Sequence, residues 1–382
     1  MKWFRDHTFR RSRLPWCGAS GVLAFTLSLA LSPVVVGQVD MSHLRDTVSV
    51  GRLSVTGYPY IFYSPETEFA VGGALILTQR LSANPEVKPS NAMLSGYYSA
   101  KGSYDVFLNP EFFLADEKYY LGLSIDYYKF VDKFWGIGNT TPDIPEAGYI
   151  RKAFWLNIEF DVSVIGDLKL GMNYDLNVTD VIDKQMNPYL LSGDLTGTDG
   201  GVSSGIGGVL FADTRNGPFS PSEGGYYKLS FLNAGSWLGS TFTFSRWILD
   251  LRQYVGISKP LVVALQFYAV ALTGSPPFYQ LAALGGDNIE RGYYEGRYRD
   301  KFYAAAQVEM RWNFWRRFGL IGWIGAGDVS SSIGDFRLTS LKPSFGIGLR
   351  FMLDPETLLN VRADFAYGRD SKGIYFNAKE AF

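Results

Sequence analysis

From about residue 55 to its end, the chain alternates apolar and polar residues with period two, in segments of ten or more residues. Leu168, Leu170, Met172, Tyr174, Leu176 and Val178 share one face, against Asp167, Lys169, Gly171, Asn173, Asp175 and Asn177 on the other. The same rule runs through 154–162, 302–312 and 359–367. Successive side chains of a strand point to opposite faces, so each segment has one oily face and one wet one. Strands of soluble sandwiches alternate too, but they run about five or six residues. Ten or more suits a tilted strand crossing a bilayer.

Sixteen such segments can be traced, from 55–64 to 372–382. The fold class they predict is all-β, a 16-stranded antiparallel transmembrane β-barrel of the outer membrane. The connections agree: the three longest, near 131–148, 182–201 and 274–300, each join an odd segment to the next even one. In an up-and-down barrel those connections lie on one side, and outer-membrane barrels keep long loops outside and short turns in the periplasm.

The N-terminus fits that destination. Lys2, Arg5, Arg10, Arg11 and Arg13 precede an apolar run from Val22 to Val36, interrupted by Pro33 and followed by Gly37. Basic, then apolar for about 15 residues, then small, is the order of a secretory signal, and the run is short for a spanning helix. The expected division is a signal peptide over 1–37, a short periplasmic lead-in over 38–54 and the barrel over 55–382. Cys17 would leave with the signal, so the mature chain has no thiol or disulfide chemistry. Its net charge is near −5 once the signal's five basic residues and Asp6 are removed from a total of −1. No nucleic-acid partner is expected at that balance. Outer-membrane lipid is the expected surroundings.

Enzyme readings find little support. Gly201-Val202-Ser203-Ser204-Gly205 matches the G-x-S-x-G nucleophile elbow, but it opens a predicted strand with no helix after it. The two histidines are His7 and His43, so nothing beyond residue 43 supplies an imidazole base or a zinc ligand. Asp194 and Asp199 read as residues of a solvated loop. No catalytic residue, metal or cofactor is expected. Tyr58, Tyr60, Tyr119, Tyr120, Tyr127, Tyr128, Trp155, Trp312 and Trp315 read as interfacial girdles.

One stretch breaks the rhythm. Residues 285–300 read GGDNIERGYYEGRYRD, too polar to span a membrane and set between two clean strands. Glu290, Arg291, Gly292 and Tyr293 within it resemble the sixth extracellular loop of the bacterial surface antigen family, the BamA-like and TamA-like assembly and translocation barrels. Residues 207–231 are similar to that family's D-x-R, Pro, Gly periplasmic turn. Phe382, with Phe376, Ala378 and Ile374 on the same face, is similar to a C-terminal barrel signal. The resemblance implies sixteen strands, with this loop folded into the lumen and its Arg paired to an Asp on the thirteenth strand in an F-x-D-x-G pattern. Here that pattern reads Trp323-Ile324-Gly325-Ala326-Gly327, so Gly325 occupies the Asp position. Asp328, Glu309 and Asp364 are the expected alternative partners of Arg291.

Family members that handle proteins also carry periplasmic POTRA modules, and fewer than twenty residues lie between Gly37 and the first segment. The expectation is a member without them, served by client proteins or a separate periplasmic partner. Pro59, which lacks an amide donor, marks either the frayed start of the first strand or a candidate seam between the first and last strands. The functional reading is a barrel assisting protein or lipid insertion or translocation at the outer membrane. The alternative is a passive pore for small solutes, with Arg252, Glu309, Arg311, Arg350, Arg362 and Asp364 in its lumen.

Overall fold

The computed structural model describes residue 51 and residues 53–84, 87–144, 147–217, 219–355 and 358–382. The expected signal peptide, with Cys17 and His7, lies outside the described residues, as do nearly all of the lead-in and Pro218 of the predicted turn.

The first eight barrel strands are β1 (Leu53–Ser64), β2 (Glu68–Gln79), β3 (Ser90–Ser99), β4 (Tyr104–Leu114), β5 (Tyr119–Lys133), β6 (Gly148–Ile165), β7 (Leu168–Asp183) and β8 (Gly200–Asp213). Then follow β9 (Gly224–Ala234), β10 (Phe244–Ser258) and β11 (Leu261–Gly274). Two short strands, β12 (Ala282–Leu284) and β13 (Tyr298–Asp300), lie within the next connection. The barrel resumes with β14 (Phe302–Trp315), β15 (Phe318–Ser330), β16 (Lys342–Asp354), β17 (Leu359–Gly368) and β18 (Ser371–Ala378). Each barrel strand pairs antiparallel with its neighbours and β1 returns to β18, which closes the ring; β12 and β13 pair only with each other.

The radial distribution is that of a membrane barrel. Outward side chains are apolar and exposed, Phe160, Leu170, Met172, Ile324, Ile347 and Phe365 among them. Their neighbours Asp161, Asp175, Glu309, Arg311, Arg350, Arg362 and Asp364 are buried. A soluble protein hides its apolar residues and exposes its charges. Here the order is inverted, and the solvent that satisfies it is hydrocarbon. The same alternation corrects the girdle expectation. Residues 119 and 120 or 127 and 128 cannot share a face. Tyr127 faces outward, whereas Tyr60 is buried on Ser95, Tyr120 donates to Glu111, and Trp155 donates its indole N–H to Asp175 at 2.8 Å. Gly201 to Gly205 lies in β8, and Ser203 accepts from Gln280 of the β11–β14 connection.

Two features mark the closing seam. Strands β1 and β18 share one registered pair, Tyr63↔Phe376, whereas β17 and β18 share eight. Below Tyr63, β1 keeps its full ladder to β2, from Ser64↔Glu68 down to Leu53↔Gln79. The last strand was expected to run to Phe382, and the structure corrects this by ending it at Ala378. Lys379 adopts φ 58° and turns the chain into the lumen. There Glu380 accepts from Arg350 (2.6 Å) and Asn360 (2.7 Å), and the Phe382 carbonyl accepts from Arg311 (2.8 Å). Donors on the luminal wall hold the segment more firmly than an exposed edge could. Ile374 remains on the outer face.

Candidate functional site: a loop held inside the lumen

The β11–β14 connection, residues 275–301, is the structure's largest internal fitting. Its neck is the β12–β13 hairpin, registered Ala282↔Asp300 and Leu284↔Tyr298. Phe278, Leu281, Leu284 and Tyr293 bury themselves with Phe134 and Tyr149 of the β5–β6 region and Leu190 of the β7–β8 connection. That cluster is the largest apolar core of the described residues, and it joins the connections to the ends of the barrel strands, with Val181, Phe244, Leu272, Tyr303 and Val329 on the wall side. Beyond the neck, Gly285 (φ 105°) and Gly286 (φ 116°) turn the chain down into the lumen.

Each residue of the Glu290 to Tyr293 motif has a distinct tie to the wall formed by β14 to β18. Arg291 is fully buried; its Nη2 donates to Glu309 at 2.6 Å and its Nη1 to Asp364 at 2.7 Å. The guanidinium carbon stands 3.7 Å from the Trp323 ring centroid. The carbonyl of Arg291 accepts from Ser344 at 2.6 Å. Gly292 has φ 108°, and a Cβ there would fall 2.7 Å from the Tyr367 carbonyl carbon, so the loop backbone lies directly against β17. Its amide donates to the Tyr375 hydroxyl at 3.0 Å. Tyr293 donates to the Pro343 carbonyl and accepts from the Arg369 amide. Glu290, at φ 52°, accepts from the Tyr303 hydroxyl at 3.2 Å. Glu290 belongs to the connection, not to a spanning strand, and burial pushes its carboxyl up to about 8.

Of the three expected partners of Arg291, Glu309 and Asp364 hold it. Asp328 does not: it accepts from Lys342 at 2.6 Å and from Asn139 at 2.9 Å. The reason is distance, since Asp328 stands five residues along β15 from Trp323, roughly 17 Å at the rise of a strand. The glycines of β15 serve a different end from the carboxylate their positions were compared with. A Cβ on Gly327 would meet the Glu290 carboxyl carbon at 2.9 Å, and one on Gly325 would meet Gln307. They clear space for the loop. Gln307 uses that space to donate to the Asn288 carbonyl at 2.9 Å.

Behind Arg291 the charges continue. Glu309 also accepts from Arg311, Asp364 from Arg350, and Arg362 bridges Asp364 and Asp287. Arg350 reaches Glu380 as well. Arg291, Arg311, Arg350 and Arg362 are thus matched by Glu309, Asp364, Asp287 and Glu380. Buried charges require such matching, because an unpartnered one costs several kcal/mol, on the order of 3–5 when a single member is removed. Sequence reasoning missed Trp323 as the platform beneath Arg291, and missed Tyr303, Ser344 and Tyr375. Alternation alone would have put Tyr375 in the lumen, as it lies opposite the lipid-facing Ile374 and Phe376.

A closed sixteen-strand barrel with an apolar exterior, a charged lumen and one long connection pinned inside defines an outer-membrane barrel with an internal plug. The chain belongs to the Omp85 superfamily, whose domain matches residues 101–382. Its place is the outer membrane of a Gram-negative bacterium, and its superfamily's members are transport and assembly barrels, not enzymes. Among solved structures it is similar to BamA from Haemophilus ducreyi lacking POTRA domains 1–3, with a TM-score of 0.60 and 14% identity over 86% of this chain and 70% of that one. It is similar also to CdiB from Acinetobacter baumannii, with a TM-score of 0.55 and 14% identity, and to CdiB from Escherichia coli, with 0.60 and 10%. The chain covers 85% and 86% of itself in those two matches, and spans 59% and 63% of the CdiB chains. At these identities the likeness is one of fold. No curated protein sequence matches the chain.

Proposed function

We propose that this barrel assists the insertion or translocation of proteins at the outer membrane, with the 275–301 loop as its luminal plug and the β1–β18 seam as its moving part. The observation that carries the reading is the seam's single registered pair, Tyr63↔Phe376, in a ring whose other joints each carry eight or more. Edge strands are templates for pairing with another chain. The edge of β1 below Tyr63 is such a template, and Pro59 within it has no amide hydrogen to commit to a ladder. Similarity in fold to BamA and CdiB supports the reading. Lipid at the seam and a separate periplasmic partner belong to the same proposal.

The test is a disulfide across the seam, Tyr63→Cys with Phe376→Cys, in proteoliposomes given an unfolded eight-stranded barrel protein as the client. Assisted folding of the client should stop in the oxidised form and return on reduction. Equal assistance in both forms would sink the seam reading. A passive pore is the rival: it requires a large steady single-channel conductance from the intact barrel, whereas a plugged lumen gives a small one that rises when 285–300 is deleted.

A further inference from the structure

The outer face of β5 and β6 carries one charged pair that a hydrocarbon setting does not explain. Its apolar band runs over Tyr119, Leu121, Leu123, Ile125 and Tyr127 on β5, and over Val162, Phe160, Ile158, Leu156 and Phe154 on β6. From Tyr119 to Tyr127 there are eight strand rises of about 3.4 Å, roughly 20 Å of depth at a tilt of about 40°. Tyr127 and Tyr104, with ring centroids 6.2 Å apart, and the exposed Tyr98 on β3 mark the headgroup level at the extracellular end.

Immediately beyond that belt, Lys129 and Lys152 are registered directly opposite one another, which sets their Cβ atoms about 5 Å apart. Both face outward, two residues on from Tyr127 and two before Phe154. Like charges so placed repel. Neither lysine makes an ion pair or a side-chain hydrogen bond among the described residues.

Their neighbours do not relieve the repulsion. Lys129 stands opposite Tyr104 of β4, and Lys152 stands opposite Asp180 of β7, with which it forms no ion pair. Lys133, further along the same face, lies over the Trp135 and Tyr294 rings, and Asp183, the last residue of β7, accepts the Gln185 amide. The outward strand positions of β4 to β7 beyond the belt therefore carry three lysines against the one carboxylate of Asp180.

A phosphate seated between the two ammonium groups would remove their repulsion and give each a charge-assisted hydrogen bond. The backbone beneath them is committed to continuous ladders, so an extended peptide would find no main-chain partner there. A lipid finds both of its needs met, an anion site at headgroup depth and an apolar band directly below it. The extracellular leaflet of a Gram-negative outer membrane presents phosphorylated, acylated sugar. We infer that Lys129 and Lys152 bind a phosphate of this outer-leaflet glycolipid, with its acyl chains against Phe154, Leu156 and Ile125. The inference stands apart from the seam proposal, since the site is on β5 and β6 and not on β1 or β18.

Native mass spectrometry of the full barrel in detergent micelles tests it, using bis-phosphorylated lipid A, fully dephosphorylated lipid A and dioleoylphosphatidylglycerol as probes. The bis-phosphorylated form should be retained about tenfold more tightly than either of the others. Lys129→Gln with Lys152→Gln should remove that preference, a loss of about tenfold for two surface lysines, and Asp180→Asn should strengthen it. Lys259→Gln, in the turn between β10 and β11, should leave it unchanged. A second readout separates lipid binding from a structural role. Without lipid A, Lys129→Gln should raise the temperature at which heat-modifiable migration is lost, because a like-charge pair is removed; with lipid A bound it should lower that temperature. Phosphatidylglycerol bound as tightly as lipid A would make this a general anionic-lipid surface. That result, equal retention of the dephosphorylated form, or indifference to the double lysine replacement overturns the inference.

Discussion

Arg291 lies over the face of Trp323, 3.7 Å from the ring centroid, and this contact joins the tip of the loop to the middle of β15. Its two terminal nitrogens are taken by Glu309 and Asp364. One guanidinium therefore ties the loop to β14, β15 and β17 at once.

Arg291→Ala strands two buried carboxylates and is expected to cost about 3–5 kcal/mol. Arg291→Lys should recover little of it, because an ammonium cannot serve two carboxylates and an indole face in one plane. Trp323→Leu should cost about 2 kcal/mol of cation–π contact in this dry setting, with cavity terms added. The temperature at which the barrel loses its heat-modifiable migration checks all three. Equal temperatures for Arg291→Ala and the parent would show that the anchor contributes nothing.

Gly292→Ala should act on the loop without touching a charge. Its Cβ would meet β17 backbone, at a φ that alanine resists. The expected result is an unchanged barrel with a displaced loop, read as new protease cleavage within 285–300 and a higher conductance. Cleavage as slow as in the parent would mean that the backbone approach is looser than it looks.

The Glu290 carboxyl gives the loop a pH dependence. Its value in place is about 8, above the ordinary carboxylate value of 4.5. The seated loop therefore holds a proton that the released loop gives up between those two values. Seating is strongest below pH 4.5, weakens as pH rises toward 8, and levels off above it. Protease access to 285–300, followed from pH 5 to 9, should rise across that window. Glu290→Gln should flatten the profile, and an unchanged slope would assign the effect to another group.

Residues 379–382 supply a further check. Glu380→Gln removes the carboxylate shared by Arg350 and Asn360. Arg350 keeps Asp364, so the expected loss is smaller than for Arg291→Ala, about 1–3 kcal/mol. Heat-modifiable migration again reports it.

The barrel was legible in the sequence because hydrocarbon outside and polar groups inside impose period two on every strand. Glu309 and Asp364 could be named for the same reason, since alternation sets them on the luminal face. Asp328 misled because nearness in sequence to Trp323 is separation along a strand. The aromatic residues of the lumen were misplaced where strand ends were read by composition and not by parity, as with Tyr120, Tyr128 and Trp155. The inward turn at Lys379 had no periodic signal. Its cause is a set of donors on β14, β16 and β17 that only the closed ring brings together.

The matched charges around Arg291 also bear on how the loop could leave. The loop contributes Arg291 and Asp287 to the network, while the wall contributes Arg311, Arg350 and Arg362 against Glu309, Asp364 and Glu380. Withdrawing the loop takes out one charge of each sign and leaves the wall balanced. A voltage across the membrane would find almost no net charge there to pull on. A plug built this way is deaf to the electrical state of the bilayer, and its release has to come from something that grips it.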